Sequence, residues 1–175
     1  GDIQEIGMAR LSSISPDDRL QLRLHGKGYF FDNARRKHGA LMHEVLSCIR
    51  TRKDIPQSVE RYHQEGVIDK EEAIALVARL EELLNLPEAA SWYDGTARVL
   101  NEVDILFGKG LSKRPDRVIT GNRVVVVDYK FGEYADQRYH SQVRNYLKLI
   151  RQMGYDEVEG FLWYVELNKI EAVKG

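Results

Sequence analysis

The first half of the chain carries its apolar side chains at helical spacing. From about residue 33 to residue 52 they recur every three or four positions, behind polar residues that cap helices well, which predicts a long helix. Pro56 suits the first turn of a short second helix. The sequence DKEE at 69–72 resembles a capping box and predicts a third helix that continues to Leu84. The N-terminal half of the protein is therefore expected to be mostly helical.

The second half of the chain changes to an alternation of period two, which is typical of strands. The predicted strands cover residues 97–107, 116–119, 123–130 and 159–167, with a further short strand at 169–173. Over residues 136–153 the apolar side chains return to helical spacing, which predicts an amphipathic helix. Strands on both sides of a helix predict an α/β fold, in which a mixed central β-sheet is flanked by helices.

Four consecutive valines at 124–127 are typical of a strand that is buried on both faces. The same strand then carries Asp128 and Lys130, which share one face because alternate side chains of a strand point the same way, whereas Tyr129 points to the other. Burying either charge without a partner costs several kcal/mol. A salt bridge between the two side chains would be enough to explain the pattern, so this spacing alone does not define a site.

A second carboxylate, Asp116, stands at the start of the preceding predicted strand. With a two-residue turn at 121–122, Asp116 would lie opposite Val127 and face away from Asp128, whereas a loop of odd length such as 121–123, or a bulge, would place the two aspartates on one face. Two carboxylates at a common edge repel each other unless a cation lies between them, and Mg²⁺ commonly fills that place. We therefore predict the odd loop or the bulge, and a regular two-residue turn would contradict a metal site.

The overall composition limits the kinds of protein that the chain can be. Its 175 residues are 43% apolar, enough for one sizeable core and short for two independent domains, so we expect a single domain. The single cysteine, Cys48, excludes a disulfide framework, a zinc ribbon and a cysteine-ligated iron–sulfur cluster. The sequence contains neither a membrane-length apolar run nor a secretory signal, which predicts a cytoplasmic protein with no membrane partner. Because the chain begins at Gly1, we expect a piece of a longer polypeptide.

The charges are distributed unevenly along the chain. The net charge is only −1 for the whole sequence, but it is +6 over residues 108–151 and −7 over the remainder. A basic region around the sequence DYK with an acidic remainder is what a phosphate-facing side and a solvated back would give. The alternative is a solvated basic face that has no partner.

Four short motifs resemble those of a known nuclease family. RPDRVI at 114–119 and DYK at 128–130, with eleven residues between their aspartates, are similar to the PD-(D/E)xK nuclease superfamily. GALMH at 39–43 and QVRNY at 142–146 resemble one branch of it, the RecB-type nuclease domain at the C-terminus of UvrD/Rep-like bacterial helicase–nucleases of the RecB and AddA kind. Each motif is weak alone, but together, in this order, they are fairly specific and span most of the chain.

The resemblance implies a set of site residues. The implied catalytic residues are Asp116, Asp128 and Lys130. The implied ligands of Mg²⁺ or Mn²⁺ are His43, Asp116, Asp128 and the backbone carbonyl of Tyr129. The residues expected to position DNA are Gln142, Tyr146, Arg117 and Arg144, with Lys113, Arg114 and Arg123 as further candidates for backbone contacts. Glu102 is a further candidate, expected just outside the metal ligands.

The resemblance also implies a fold and an activity. It implies a restriction-endonuclease-like core and metal-dependent hydrolysis of single- or double-stranded DNA, with exonuclease action favoured over endonuclease action. Residues 1–175 would form one RecB-like nuclease domain that is joined to a helicase portion, has an AddB/RecC-like partner subunit and acts in double-strand break repair and recombination. The chain has no GxxxxGK(S/T) loop and too few cysteines, so neither an ATP site nor the iron–sulfur cluster of AddB-like relatives is expected in it.

Several of these residues also fit roles that need no nuclease site. A lone helical histidine such as His43 is more often a core or surface residue than a metal ligand, and Gln142 and Tyr146, at i and i+4, suit a packing role equally well. Gly39, one turn before His43, suggests the close approach of another backbone or of the substrate. The alternative functions are an inactive DNA-binding or scaffolding module of the same fold and a stand-alone repair endonuclease.

Overall fold

The computed structural model describes residues 27–100, 114–131 and 136–175. Within these residues the helices are α1 (Lys27–Cys48), α2 (Ile55–Gln64), α3 (Lys70–Leu84), α4 (Pro87–Trp92) and α5 (Gln137–Gln152), with a short 3-10 turn at Arg52–Asp54. The strands of the same residues are β1 (Arg98–Leu100), β2 (Arg117–Thr120), β3 (Val124–Lys130), β4 (Val158–Tyr164) and β5 (Lys169–Val173).

The strands form one mixed sheet, ordered β1-β2-β3-β4-β5. Strands β3 and β4 are parallel, and the other neighbouring pairs are antiparallel. The parallel pair needs a crossover connection, and α5 provides it. The architecture confirms the predicted α/β fold with a mixed sheet flanked by helices, and it agrees with a restriction-endonuclease-like core.

Local sequence explains most of the helix boundaries. The Asp69 carboxylate accepts the N–H of Glu72 at 2.8 Å and caps α3, as the DKEE sequence predicts. Helix α1 begins and ends earlier than expected. It ends at Cys48 because the chain turns there, and the N–H groups of Arg50 and Thr51 donate to the Asp54 carboxylate at 3.0 Å each.

Besides α1, three elements differ from the predictions made from sequence. Strand β4 ends at Tyr164, before the predicted end at residue 167. Helix α4 was not predicted, although Pro87 in its first turn is a common helix start. Of the strand predicted over residues 97–107, the part in the described residues is β1, and the rest lies outside them. No helix within the described residues has both the length and the apolar content needed to cross a bilayer.

The sheet separates two hydrophobic cores. Helices α1 to α4 cover one face, where Val127, Tyr129 and Trp163 are buried, and α5 covers the other, where Val126 and Leu162 are buried. Strand β3 is thus buried on both faces, as the valine run predicts. Because side chains alternate along β3, Asp128 and Lys130 lie on the face of the sheet that α5 covers. They stand at the C-terminal end of this central strand, which is called the edge of the sheet below.

Candidate active site

The loop between β2 and β3 decides whether the two aspartates meet. Thr120 pairs with Val124 and Arg117 pairs with Val127, so the connecting loop is Gly121–Arg123, three residues long. The register therefore continues to an Asp116–Asp128 pair. The Asp116 N–H donates to Asp128 Oδ1 at 3.1 Å, and the two carboxylates lie at one edge of the sheet. The predicted loop of odd length is confirmed.

Asp116 is held from two further directions. The N–H of Tyr129 donates to Asp116 Oδ2 at 2.8 Å, which ties the start of β2 to the end of β3. The other carboxylate oxygen, Oδ1, is hydrogen-bonded to His43 Nε2 from helix α1. The pKa of His43 is raised, chiefly by this hydrogen bond, while partial burial opposes the rise. His43 and Asp116, which are 73 positions apart in the sequence, thus form one polar cluster.

The glycine one turn before His43 allows α1 to approach the end of β3. A Cβ added at Gly39 would lie 3.2 Å from Cβ of Phe131, which is tighter than an ordinary van der Waals contact. The rings of Tyr129 and Phe131 contact the His43 ring edge to face, with centroids 5.9 and 6.2 Å away. Gly39 therefore allows a close approach of the Phe131 side chain, not of another backbone as expected, and approach of the substrate stays a prediction.

Asp128 is a buried carboxylate whose charge is only partly compensated. Its side chain is 3% exposed, and the Lys130 ammonium lies 3.6 Å from its Oδ2. Burial, and then the neighbouring Asp116 charge, raise the pKa of Asp128 to about 7 in spite of the opposing effect of Lys130. The salt bridge between Asp128 and Lys130 therefore exists, but it is not sufficient to balance the two carboxylates.

Helix α5 holds the Lys130 ammonium in place. Nζ of Lys130 donates to Gln142 Oε1 at 3.4 Å, and Gln142 Nε2 in turn donates to the Tyr146 hydroxyl at 3.0 Å. Tyr146 is buried, and burial raises its pKa to about 12. The glutamine of the QVRNY motif thus contacts the lysine, and the tyrosine is hydrogen-bonded to that glutamine. Their role in positioning DNA stays a prediction.

A further residue at the site is Tyr139, for which the sequence predicted only a place in the apolar stripe of the helix. Nζ of Lys130 lies 4.5 Å from the centroid of the Tyr139 ring, a distance at which a cation and an aromatic face attract each other. One helical turn separates Tyr139 from Gln142, so both reach the same ammonium group. The sequence shows this three-residue spacing of Tyr139 and Gln142. It does not show that both side chains reach Lys130 on β3.

For the DNA cleavage that the sequence motifs imply, we expect Tyr139→Leu to lower kcat by about fivefold, because loss of a cation–π contact of about 1 kcal/mol leaves Lys130 less well positioned. Tyr139→Phe keeps the aromatic face and should retain wild-type kcat. Steady-state kinetics would separate kcat from KM, which should change little in either variant. Equal losses in the leucine and phenylalanine variants would contradict this role.

The side chains at this edge of the sheet are of the kinds that bind divalent metal ions. Among the described residues, no group of three or more His, Cys, Asp and Glu side chains is arranged to hold a metal ion, and His43 and Asp116 are hydrogen-bonded to each other. The donor types nevertheless fit Mg²⁺ or Mn²⁺, because two carboxylates and an imidazole meet at one edge. Burial and the neighbouring Asp116 carboxylate both raise the pKa of Asp128, so a bound cation would stabilise the charged form of this carboxylate. The residues present therefore fit a divalent ion.

Arg117 does not have the role that was predicted from the sequence. Its side chain is buried, and its guanidinium donates to the carbonyls of Ile49, Arg50 and Trp92 at 2.7, 2.9 and 2.9 Å. Its Cζ also lies 3.7 Å from the centroid of the Tyr93 ring. The predicted DNA contact is wrong, because alternation along β2 turns Arg117 inward, where it fastens the end of α1 and the end of α4 to the sheet.

The other predicted DNA-contact residues lie in different surroundings. Arg144 is exposed on α5, where Nη2 donates to the Ser141 hydroxyl at 3.2 Å, and Arg114 is exposed just before β2. Arg123, in the loop between β2 and β3, forms an ion pair with Glu159. Lys113 and Glu102 lie outside the described residues. Contacts between any of these residues and DNA stay predictions.

The comparison with known proteins agrees with the arrangement of these residues. A family model for the PD-(D/E)XK nuclease superfamily matches residues 19–175, which includes every element described above. A search of curated proteins finds no match. With the match extending over most of the sequence, and with two aspartates and a lysine together at one edge of a mixed sheet, the chain belongs to the PD-(D/E)XK nuclease superfamily.

Proposed function

We propose that this domain is a Mg²⁺- or Mn²⁺-dependent deoxyribonuclease that hydrolyses phosphodiester bonds. Membership of the nuclease superfamily supports nuclease activity in general. The observation that carries the specific proposal is the three-residue loop, which places Asp116 beside Asp128 on the face that also carries Lys130. The two carboxylates lie side by side and one of them is buried, an arrangement that a divalent cation between them would stabilise.

The residues of the site have separate roles in this proposal. The carboxylates of Asp116 and Asp128, the carbonyl of Tyr129 and the imidazole of His43 would hold one or two ions, with the His43–Asp116 hydrogen bond giving way on binding. When bound, Mg²⁺ or Mn²⁺ supplies Lewis-acid chemistry that lowers the pKa of a water molecule and neutralises charge on the phosphate. Lys130, as a compact cation with three rotatable N–H donors, orients the attacking water and donates to the phosphate oxygens as their negative charge increases.

The neighbours of Lys130 restrict the movement of its ammonium group, which should increase the rate of the reaction. Gln142 accepts a hydrogen bond from the ammonium, Tyr146 accepts one from Gln142, and the Tyr139 ring limits its movement on another side. Rigid positioning of a catalytic group contributes to rate because no reorganisation is needed when the charge develops. Lys130 is only 19% exposed, so its charge is weakly screened by solvent.

We further propose that residues 1–175 form a single RecB-like domain, the nuclease module of a UvrD/Rep-like helicase–nuclease in the cytoplasm. The support is that His43, Gln142 and Tyr146, the residues of the two branch motifs, all lie at the site with the aspartates and the lysine. In this proposal the helicase portion of the parent chain delivers DNA, an AddB/RecC-like subunit is the partner, and the process is double-strand break repair and recombination.

The nuclease proposal predicts metal-dependent cleavage that the charged residues of the site control. Linear single- and double-stranded DNA should be cut in Mg²⁺ or Mn²⁺ and left intact in EDTA. Asp128→Asn and Lys130→Gln should each lower the rate by about a hundredfold or more, because each removes a charge that the reaction needs. Lys53→Gln, at an exposed position between α1 and α2, is the matched control and should cut normally.

Substrate form tests the preference for exonuclease action. Covalently closed circular DNA should resist cleavage under conditions that degrade the same sequence after linearisation. Efficient cutting of the circle would show endonuclease action instead. Absence of cleavage in every metal, combined with no change of melting temperature on adding Mg²⁺ or Mn²⁺, would favour an inactive scaffolding module.

A further inference from the structure

We propose that the exposed face of helix α5 binds the phosphate backbone of the nucleic acid beyond the catalytic centre. This inference rests on the proposed nuclease function and assigns a surface to its substrate. The carrying residues are Arg144, Lys148 and Arg151, called the basic row below. They follow i, i+4 and i+7 spacing, so they lie along one side of the helix, and all three are exposed.

The charge of this helix is of one sign only. The sequence of α5, QRYHSQVRNYLKLIRQ, contains no Asp or Glu, and each exposed position holds either a basic or an uncharged polar side chain. Helix α3, of similar length, instead mixes four glutamates with Lys70 and Arg79, and Arg79 pairs with Glu82 within it. A solvated surface helix usually mixes both signs in this way. The exposed face of α5 is therefore unusual for a surface without a partner.

Within the part of the chain that the structure describes, no salt bridge neutralises the basic row. Among the described residues, no carboxylate forms a salt bridge with Arg144, Lys148 or Arg151, whereas Arg138, at the start of the same helix, pairs with the capping residue Asp136. The row borders a surface cavity of about 500 Å³ that Gln152 and Gly175 also line. Uncompensated positive charge beside an open cavity suits a flexible polyanion better than a flat protein surface.

The position of the row relative to the catalytic centre suggests the path of the substrate. Gln142 contacts Lys130, and the row begins two residues later, about 200° further around α5. It runs towards Gln152 on the flank of the helix opposite to Gln142. At 1.5 Å per residue the row is about 10 Å long. That is the axial span of about three phosphates of one strand, at 3.4 Å each. A strand that leaves the centre and crosses α5 to its opposite flank would meet the three cations in turn.

Equilibrium DNA binding in EDTA tests the surface without cleavage. Fluorescence anisotropy with single- and double-stranded oligonucleotides, over a range of salt concentrations, would compare wild type with Arg144→Gln/Lys148→Gln/Arg151→Gln. We expect Kd to rise at least about tenfold, and the slope of log Kd against log salt to fall by about two to three, since each phosphate contact contributes about 0.7 to 0.9. The matched control is Arg50→Gln/Lys53→Gln/Lys70→Gln. It removes three exposed charges from the segment that contains α1 to α4, and it should bind DNA as wild type does.

Each alternative result has a definite meaning. Unchanged binding by the row variant, equal weakening by the control variant, or no DNA binding by the wild type would overturn the proposal. Competition by polyglutamate as strong as that by DNA of equal charge would also overturn it and would indicate an acidic protein partner. If the row variant binds normally while Asp128→Asn abolishes cleavage, the nuclease stands and the surface does not. If the row variant loses binding but no metal supports cleavage, the surface stands and the nuclease does not.

Discussion

Asp128→Asn is expected to stabilise the metal-free protein at about pH 8 while abolishing the proposed cleavage of DNA. The reason is the cost of holding the Asp128 charge in a buried position beside Asp116, which raises its folded-state pKa from 3.8 to about 7. Asparagine keeps an acceptor for the Asp116 N–H but carries no charge. We expect the free energy of unfolding to rise by about 2 to 4 kcal/mol, since a change of one in a pKa is equivalent to about 1.4 kcal/mol.

The raised pKa also fixes the pH dependence of the effect. Below the unfolded-state pKa, Asp128 is protonated in both states and the wild type carries no penalty. As the pH rises towards the folded-state pKa, the folded protein binds more protons than the unfolded chain, so its stability falls. The stability advantage of the variant should therefore develop between about pH 4 and pH 7 and stay constant above that range.

Urea unfolding in EDTA across this pH range would measure the difference. Asp156→Asn, an exposed carboxylate after α5, is the control and should show no comparable gain. Adding Mn²⁺ or Mg²⁺ should restore stability to the wild type and not to Asp128→Asn, because the ion binds the folded site only while the carboxylate is present. A variant less stable than wild type at about pH 8 in EDTA would contradict the view that the Asp128 charge opposes folding.

Arg117→Met is expected to give the largest loss of stability. The substitution leaves three backbone carbonyls, those of Ile49, Arg50 and Trp92, without their donors in a buried place, and it removes the contact with the Tyr93 ring. We expect the free energy of unfolding to fall by about 3 to 5 kcal/mol. Arg117→Lys should recover only part of it, because one ammonium lacks the planar fork that reaches separate acceptors.

Urea unfolding compared with DNA binding would separate this role from the one predicted from sequence. The exposed Arg144→Met is the matched control and should leave stability nearly unchanged. If Arg117 were a DNA contact, its substitution would reduce DNA affinity and the salt dependence of binding but would spare stability. That result would contradict the conclusion that Arg117 stabilises the fold and does not contact DNA.

The two predictions concern opposite kinds of buried charge. Arg117 donates to three carbonyl oxygens and lies against an aromatic face, although its buried Nε has no hydrogen-bond partner among the described residues. Its burial is therefore largely compensated and supports the fold. Asp128 lies beside another carboxylate and is compensated only in part by Lys130, so its burial opposes folding. An uncompensated buried charge at the edge of a sheet is expected where binding or catalysis requires it.

The amino-acid sequence by itself determined the local structure of this protein. Helical spacing and caps define the helices from α1 to α3 and α5, and the valine run defines β3, because these signals depend on near neighbours in the chain. Period two placed Asp128 and Lys130 on one face. The sequence also limited the Asp116–Asp128 relation to a choice between loop lengths, since a shift of one residue reverses the face of every side chain.

Only the tertiary structure decided how distant segments meet. The three-residue loop selected the register that joins the aspartates, and the packing of α1 over the end of β3 brought His43 to Asp116. Docking of the helices on the sheet enclosed Arg117, whose charge alone had suggested a surface role. The position of α5 likewise placed Tyr139 over Lys130. Contacts of this kind depend on packing between elements far apart in sequence, for which local patterns contain no information.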